Sequence, residues 1–208
     1  MKNMMIKVCG LTCQEDLEFC QEMGIDLTGF IFHPSSPRCV DPELAGGLKK
    51  KNELRVGVFV RQTPAEILDI TDVAGLDLVQ LHGDQDRDFC AQVGPERVMR
   101  AFWPERYSGP EELQAELEFF SHVCRFFLLD AGKNTGGHGR SITSPWLDQI
   151  RSPRPCFLAG GLGPENIEKM YFPGISGVDL NSGVEAGPGG RKDKEKIKRV
   201  LKICRSMT

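Results

Sequence analysis

The amino-acid sequence predicts a single-domain (β/α)8 TIM barrel over residues 1–208. Three observations carry that expectation. Short apolar runs alternate with roughly eight helical patterns from one end of the chain to the other, the rhythm of strand–helix repeats. Most of the runs are continuous rather than alternating, as expected of strands buried on both faces of a parallel sheet. No linker or low-complexity stretch breaks the series, and 208 residues suit one domain with a sizeable core. A doubly wound open sheet is the alternative, because periodicity does not report closure.

The candidate strands are residues 5–9, 27–32, 55–60, 76–81, 97–103, 125–130, 155–159 and 174–180. Helix starts fall between them. Thr12-Cys13-Gln14-Glu15 reads as a capping box, with Leu17, Cys20 and Met23 following on one face. Thr63-Pro64-Ala65-Glu66 repeats it, with proline at the first helical position. Ser108-Gly109-Pro110-Glu111 opens a helix ahead of Leu113, Leu117 and Phe120, and Gly163-Pro164-Glu165-Asn166 opens another. The last helix, about 192–205, sets Ile197, Val200, Leu201 and Cys204 at helical spacing, and its lysines form a solvated face.

Composition removes several classes of function. With 26 basic residues against 29 acidic ones the net charge is -3, so the basic footprint of a nucleic-acid binder is missing. No apolar run approaches the roughly 18–20 residues of a membrane span. The N-terminus has no signal-peptide apolar core, which predicts a cytoplasmic protein. Eight cysteines without a Cys-x-x-Cys pair fall below a disulfide scaffold, and His33, His82, His122 and His138 stand too far apart to suggest a metal site.

In this fold, chemistry sits at the C-terminal ends of the strands. Cys9-Gly10 ends the first, His33 the second, His82-Gly83 the fourth, Asp130 the sixth, Gly160-Gly161 the seventh, and Asp179-Leu180-Asn181-Ser182-Gly183 the eighth. Glycine loops after strands 7 and 8 are a frequent phosphate site, because a ligand can approach their backbone N–H groups closely; the plainer reading is tight turns. Cys9 is either a reactive thiol or a small core hydrophobe. Asp130 is either a group at the barrel mouth or a loop cap. Arg38, in a proline-braced loop, is either an anion clamp or half of a surface salt bridge. Asp179 reads as a catalytic group or a support for loop backbone, and His33 and His82 as wall residues or structural hydrogen-bonding groups. The glycine-rich stretch 132–139 suits a mobile lid.

Taken in order, these segments resemble the phosphoribosylanthranilate isomerase family. The resemblance spans the whole chain. It rests on Lys7-Val8-Cys9-Gly10-Leu11-Thr12, Gly29-Phe30-Ile31-Phe32 with Ser36-Pro37-Arg38, and Val79-Gln80-Leu81-His82-Gly83. It continues through Asp130 with Gly136-Gly137, Leu158-Ala159-Gly160-Gly161-Leu162 with Pro164-Glu165-Asn166, and Val178 to Glu185 followed by Pro188-Gly189 and Lys192-Asp193. Two positions depart from the pattern: His138 stands where threonine is usual, and Asn181 where serine is common.

The resemblance implies an Amadori rearrangement of a phosphorylated aminoaldose to an aminoketose, in tryptophan biosynthesis and without a cofactor. It implies Cys9 as general base and Asp130 as general acid. It places Arg38 on the anthranilate carboxylate, His82 and Asp179 in the substrate site, and Gly160, Gly161, Asn181, Ser182 and Gly183 around the phosphate. The implied partner is a small phosphorylated substrate, with no nucleic acid or membrane, and the protein a monomer or homodimer. Two other readings compete. A histidine-pathway isomerase of the same fold would be expected to use two aspartates, where this chain has Cys9. A non-catalytic phosphate-binding barrel would keep the glycine loops but have no use for Cys9 and Asp130.

Overall fold

All eight apolar runs are strands. The structure, a computed structural model, describes residues 4–131, 145–187 and 190–207. The strands are β1 (Met5–Val8), β2 (Leu27–Ile31), β3 (Leu54–Phe59), β4 (Leu78–Leu81), β5 (Val98–Phe102), β6 (Phe126–Asp130), β7 (Cys156–Ala159) and β8 (Gly177–Leu180). Each pairs in parallel with the next, and β8 returns to β1 with Met5 opposite Gly177 and Lys7 opposite Asp179. That last ladder closes the barrel and rules out the open sheet.

The helices are α1 (Gln14–Glu22), α2 (Pro42–Gly47), α3 (Pro64–Ala74), α4 (Arg87–Val93), α5 (Pro110–Phe120), α6 (Ile167–Met170) and α7 (Lys194–Ser206). Between β6 and β7 the described residues contain only a 3-10 turn, Leu147–Gln149, so seven α-helices stand where about eight helical segments were expected. The α3 start matches its sequence signature. The Thr63 hydroxyl accepts from Glu66 N, the Glu66 carboxylate accepts from Thr63 N at 2.7 Å, and Gly75 ends the helix at φ 61°.

The capping box expected at Thr12 does not form. Cys13 is the N-cap, its side chain caps nothing, and Glu15 pairs instead with Arg191 from the far end of the chain. At α5 the cap is Gly109, while Ser108 donates from its N and its hydroxyl to Glu112 at 2.8 Å. The helix expected after Gly163 shrinks to the four residues of α6. There Asn166 accepts from Gly163 N at 2.9 Å and donates to the Gly161 carbonyl at 3.0 Å, which ties down the loop rather than lengthening the helix.

Alternate strand residues point to opposite faces of the sheet. Inward, Leu27, Val56, Leu78, Met99, Phe126, Leu128 and Phe157 fill the barrel. Outward, Val8, Phe30, Phe59, Leu81, Phe102 and Phe127 pack against Leu17, Ile67, Leu113, Leu117, Ile197 and Val200 of the helices. Each fully buried side chain of this kind contributes about 1.5–3 kcal/mol. Towards the C-terminal end the filling changes character. Cys9, Ile31 and Val58 form a small separate cluster, and Lys7, Gln80 and Asp179 are buried polar residues. Buried polar groups are costly unless paired, so this end of the barrel carries groups that packing alone would not select.

No described helix is long and apolar enough to cross a membrane. The stretch expected to form a lid, 132–139 with Gly136, Gly137 and His138, lies outside the described residues, as do Pro188 and Gly189.

Candidate active site

Cys9 sits just past β1, 4% exposed, and its N donates to the Leu180 carbonyl of β8 at 2.8 Å. Gly29 on the neighbouring β2 gives the thiol its space, since a Cβ there would lie 2.7 Å from Cys9 Sγ. Burial pushes the Cys9 thiol up from its ordinary value, against a downward pull from Lys7. All eight cysteines are free thiols.

Lys7 lies two residues before Cys9, so both point into the barrel. It is fully buried and donates to Asp179 Oδ2 at 2.8 Å. Burial alone would lower the Lys7 pKa; Asp179, with Cys9, raises it instead, so Lys7 remains an ammonium. Asp179 is thus held first by Lys7. Burial pushes its carboxyl up, and its Oδ1 is buried with no hydrogen-bond partner among the described residues.

Asp130 ends β6 and meets His82 across the mouth, with Nε2 3.2 Å from Oδ2. His82 is steadied by a backbone bond to the Phe59 carbonyl at 2.8 Å, by the edge of Trp103 with ring centroids 5.2 Å apart, and by Gln80 Nε2, 3.2 Å from Nδ1. Expected as a wall residue for substrate, His82 is placed directly against the expected acid.

The sequence left Arg38 as either an anion clamp or half of a surface salt bridge, and the structure pairs it with Glu185. Arg38 Nε and Nη2 donate to Glu185 Oε1 and Oε2 at 2.6 and 2.7 Å, and the pair is buried rather than at the surface. Hydrogen bonding to Glu185 raises the Arg38 pKa, and although burial pushes the Glu185 carboxyl up, Arg38 and Lys192 together hold it below its ordinary range. Lys192 Nζ donates to Glu185 Oε1 at 2.8 Å and to Asn181 Oδ1 at 3.0 Å. The Asn181 oxygen therefore faces an ammonium within the protein. Gly10 admits this cluster, since a Cβ there would fall 2.7 Å from Arg38 Cδ and 2.8 Å from Asn181 Oδ1.

The expected phosphate loops do meet. Gly160 and Gly161 take φ of 110° and 69°, open to glycine and rare for other residues. A Cβ on Gly183 would collide with the Leu162 carbonyl, so the loops after β7 and β8 touch backbone to backbone. Ser182 opens a 3-10 turn, Ser182–Val184, between them. A cleft of about 350 Å³ lined by Gln62, Asp84, Asp86 and Phe89 lies off this site and includes none of these residues.

Sequence reasoning gave Lys7, Gln80, Glu185 and Lys192 no role. For Lys7 and Gln80 a signal was present: each lies two residues before an expected site residue, on the same inward face. For Glu185 and Lys192 only the three-dimensional pairing with Arg38 reveals the part they play.

The family model for N-(5'phosphoribosyl)anthranilate (PRA) isomerase matches residues 6–203. The chain is 45% identical over 202 residues to an N-(5'-phosphoribosyl)anthranilate isomerase of Desulfovibrio desulfuricans, covering 97% of this chain and 95% of the relative. Its fold is similar to a phosphoribosyl anthranilate isomerase from Thermus thermophilus, with TM-score 0.84, 32% identity, and 99% and 100% of the two chains covered. It is also similar, with TM-score 0.77, 33% identity and 98% and 99% coverage, to a phosphoribosyl anthranilate isomerase in complex with reduced 1-(o-carboxyphenylamino)-1-deoxyribulose 5-phosphate. Family model, sequence identity and fold agree, and the chain belongs to the N-(5'-phosphoribosyl)anthranilate isomerase family.

Proposed function

We propose that this barrel rearranges N-(5'-phosphoribosyl)anthranilate to 1-(o-carboxyphenylamino)-1-deoxyribulose 5-phosphate, a step of tryptophan biosynthesis, with Cys9 as base and Asp130 as acid. Family membership supports the reaction. One observation carries the assignment of roles: Cys9 and Asp130 stand at the C-terminal ends of β1 and β6, where the barrel interior turns from apolar to polar.

The acid protonates the furanose ring oxygen as the C1–O bond breaks, leaving an iminium ion. The base removes the C2 proton, and that electron pair forms the C1–C2 double bond of an enolamine while the iminium nitrogen is neutralised. Tautomerisation gives the ketone. C2 is oxidised as C1 is reduced within one molecule, so the reaction requires no redox cofactor. Asp130 must carry a proton to act, and His82 Nε2 lies 3.2 Å from its Oδ2. Cys9 must reach its thiolate from a buried, upward-shifted thiol.

Arg38 would bind the anthranilate carboxylate with its Glu185-held guanidinium. Gly160, Gly161, Ser182 and Gly183 would hold the phosphate through backbone N–H groups and the serine hydroxyl, with Asn181 linking that loop to Lys192. Asp179 Oδ1 would accept a sugar hydroxyl. The protein would work in the cytoplasm as a monomer or homodimer, on a small phosphorylated substrate, without nucleic acid or membrane. The test is loss of phosphoribosylanthranilate fluorescence on turnover, run beside the histidine-pathway aminoaldose. Turnover of only the second substrate would reverse the assignment.

A further inference from the structure

We infer that Lys7 is a positioning residue that sets how readily Cys9 becomes a thiolate, against the opposing charge of Asp179. The inference rests on Cys9 being the base. Lys7 is a fully buried ammonium in a barrel filled mostly by apolar side chains such as Leu27, Val56, Met99 and Phe157. An ion so placed is costly, and replacing a buried ion pair by well-packed apolar residues is often neutral or stabilising. Packing therefore does not account for it.

Geometry does. Lys7 and Cys9 are two residues apart on β1 and share the inward face, and Lys7 lies opposite Asp179 in the β1–β8 ladder. An ammonium has three donors, of which Asp179 Oδ2 takes one at 2.8 Å. Cys9 lies two residues on along the same face and is the other group that raises the Lys7 pKa, and Gly29 leaves room for its sulfur.

Among the described residues, several charges bear on Cys9. Lys7 faces it from β1 and Asp179 from β8, Lys192 from the approach to α7, and Arg38 from the loop after β2. Burial and Asp179 disfavour the thiolate; Lys7 leads the groups that favour it. When Cys9 takes the C2 proton it becomes a neutral thiol, while Lys7 keeps its own protons throughout. Lys7 thus acts through Cys9 and touches no reacting atom.

The test is peptide-resolved alkylation of Cys9 by iodoacetamide across pH, in the full chain and in Lys7→Met, Asp179→Asn and the double variant, each checked for folding by circular dichroism. The Cys9 midpoint should rise in Lys7→Met and fall in Asp179→Asn, and the double variant should lie above Asp179→Asn. Turnover by Lys7→Met should drop about tenfold for each unit of rise, with KM little changed. An unmoved midpoint in folded Lys7→Met overturns the inference. If that variant does not fold, a double variant matching Asp179→Asn overturns it, as does an Asp179→Asn midpoint that fails to fall. Full activity in Cys9→Ala would remove Cys9 as base yet leave these midpoints readable, so the two failures are distinguishable.

Discussion

Arg38 and Glu185, 147 residues apart in the chain, meet as a two-point ion pair at the barrel mouth, at 2.6 and 2.7 Å. The pair orients the guanidinium before any substrate arrives, and Lys192 offsets the charge of Glu185 from its other side at 2.8 Å. If Arg38 binds the substrate carboxylate as proposed, that carboxylate shares it with Glu185. Charge-assisted bonds of this kind contribute about 1.5–3 kcal/mol. Arg38→Ala should therefore lower kcat/KM roughly 10–150-fold, and Arg38→Lys should recover only part of it. Glu185→Ala should lower kcat/KM less than Arg38→Ala, and in the double variant the losses should overlap. Steady-state kinetics on the four proteins read this; fully additive losses would detach Glu185 from the work of Arg38.

Cys9→Ala should fold normally and lose at least about 10²-fold in kcat, the low end for a general acid–base group. Cys9→Ser should fail too, because an alcohol is a far weaker base than a thiolate at neutral pH. Cys20→Ala and Cys204→Ala, both buried on helix faces, should instead lower the melting temperature and leave kcat near wild type. A fully active Cys9→Ala would return Cys9 to the role of a core hydrophobe.

Inorganic phosphate should raise the melting temperature and compete with substrate, since a ligand that binds only the native state stabilises it. Gly183→Ala forces a Cβ against the Leu162 carbonyl and should weaken both effects. Equal competition by substrate analogues with and without phosphate would remove the β7–β8 loops from the binding site.

Glu185 gives a pH dependence with a defined sign. Its carboxyl sits below the ordinary value when folded, so the unfolded chain binds its proton more readily and stability from this group increases with pH. The contribution is present above the unfolded value, about 4.3, and is lost as pH falls through the lower folded value. Urea unfolding from neutral pH downwards should show the stability gap between wild type and Glu185→Gln narrowing below about pH 4.3. A gap constant across that range would mean that the Arg38 and Lys192 contacts do not discriminate between the two forms of the carboxyl.

Thr63→Ala should lower stability by about 0.5–2 kcal/mol, the usual cost of losing an N-cap. Thr12→Ala should have little effect, because Thr12 caps no helix. Chemical denaturation of the two variants compares a formed capping box with an unformed one of the same residue pattern, and equal losses would contradict the difference between the two helix starts.

The α1 start shows why local pattern has limits. Thr12 and Glu15 carry the capping-box spacing as well as Thr63 and Glu66 do. Arg191 draws Glu15 away, and no window of a few residues contains that competitor. Likewise the Gly163-Pro164 signal ends in four helical residues, because Asn166 spends its side chain on Gly163 and Gly161.

The sequence by itself determined the eight strands, the α3 and α7 helices and the ordered set of strand-end residues. Each depends on interactions within a few residues: apolar runs, the Thr63–Glu66 cap, and the helical spacing of Ile197, Val200, Leu201 and Cys204. Tertiary structure alone decided closure, through the β1–β8 ladder, and the partners of every buried charge in the site. Lys7 and Asp179 are separated by 172 residues, and Arg38 and Glu185 by 147. These pairs exist because barrel register sets β8 beside β1 and brings the loops after β2 and β8 to one rim. A charge buried in a low-dielectric interior must find its counter-charge wherever the register places it.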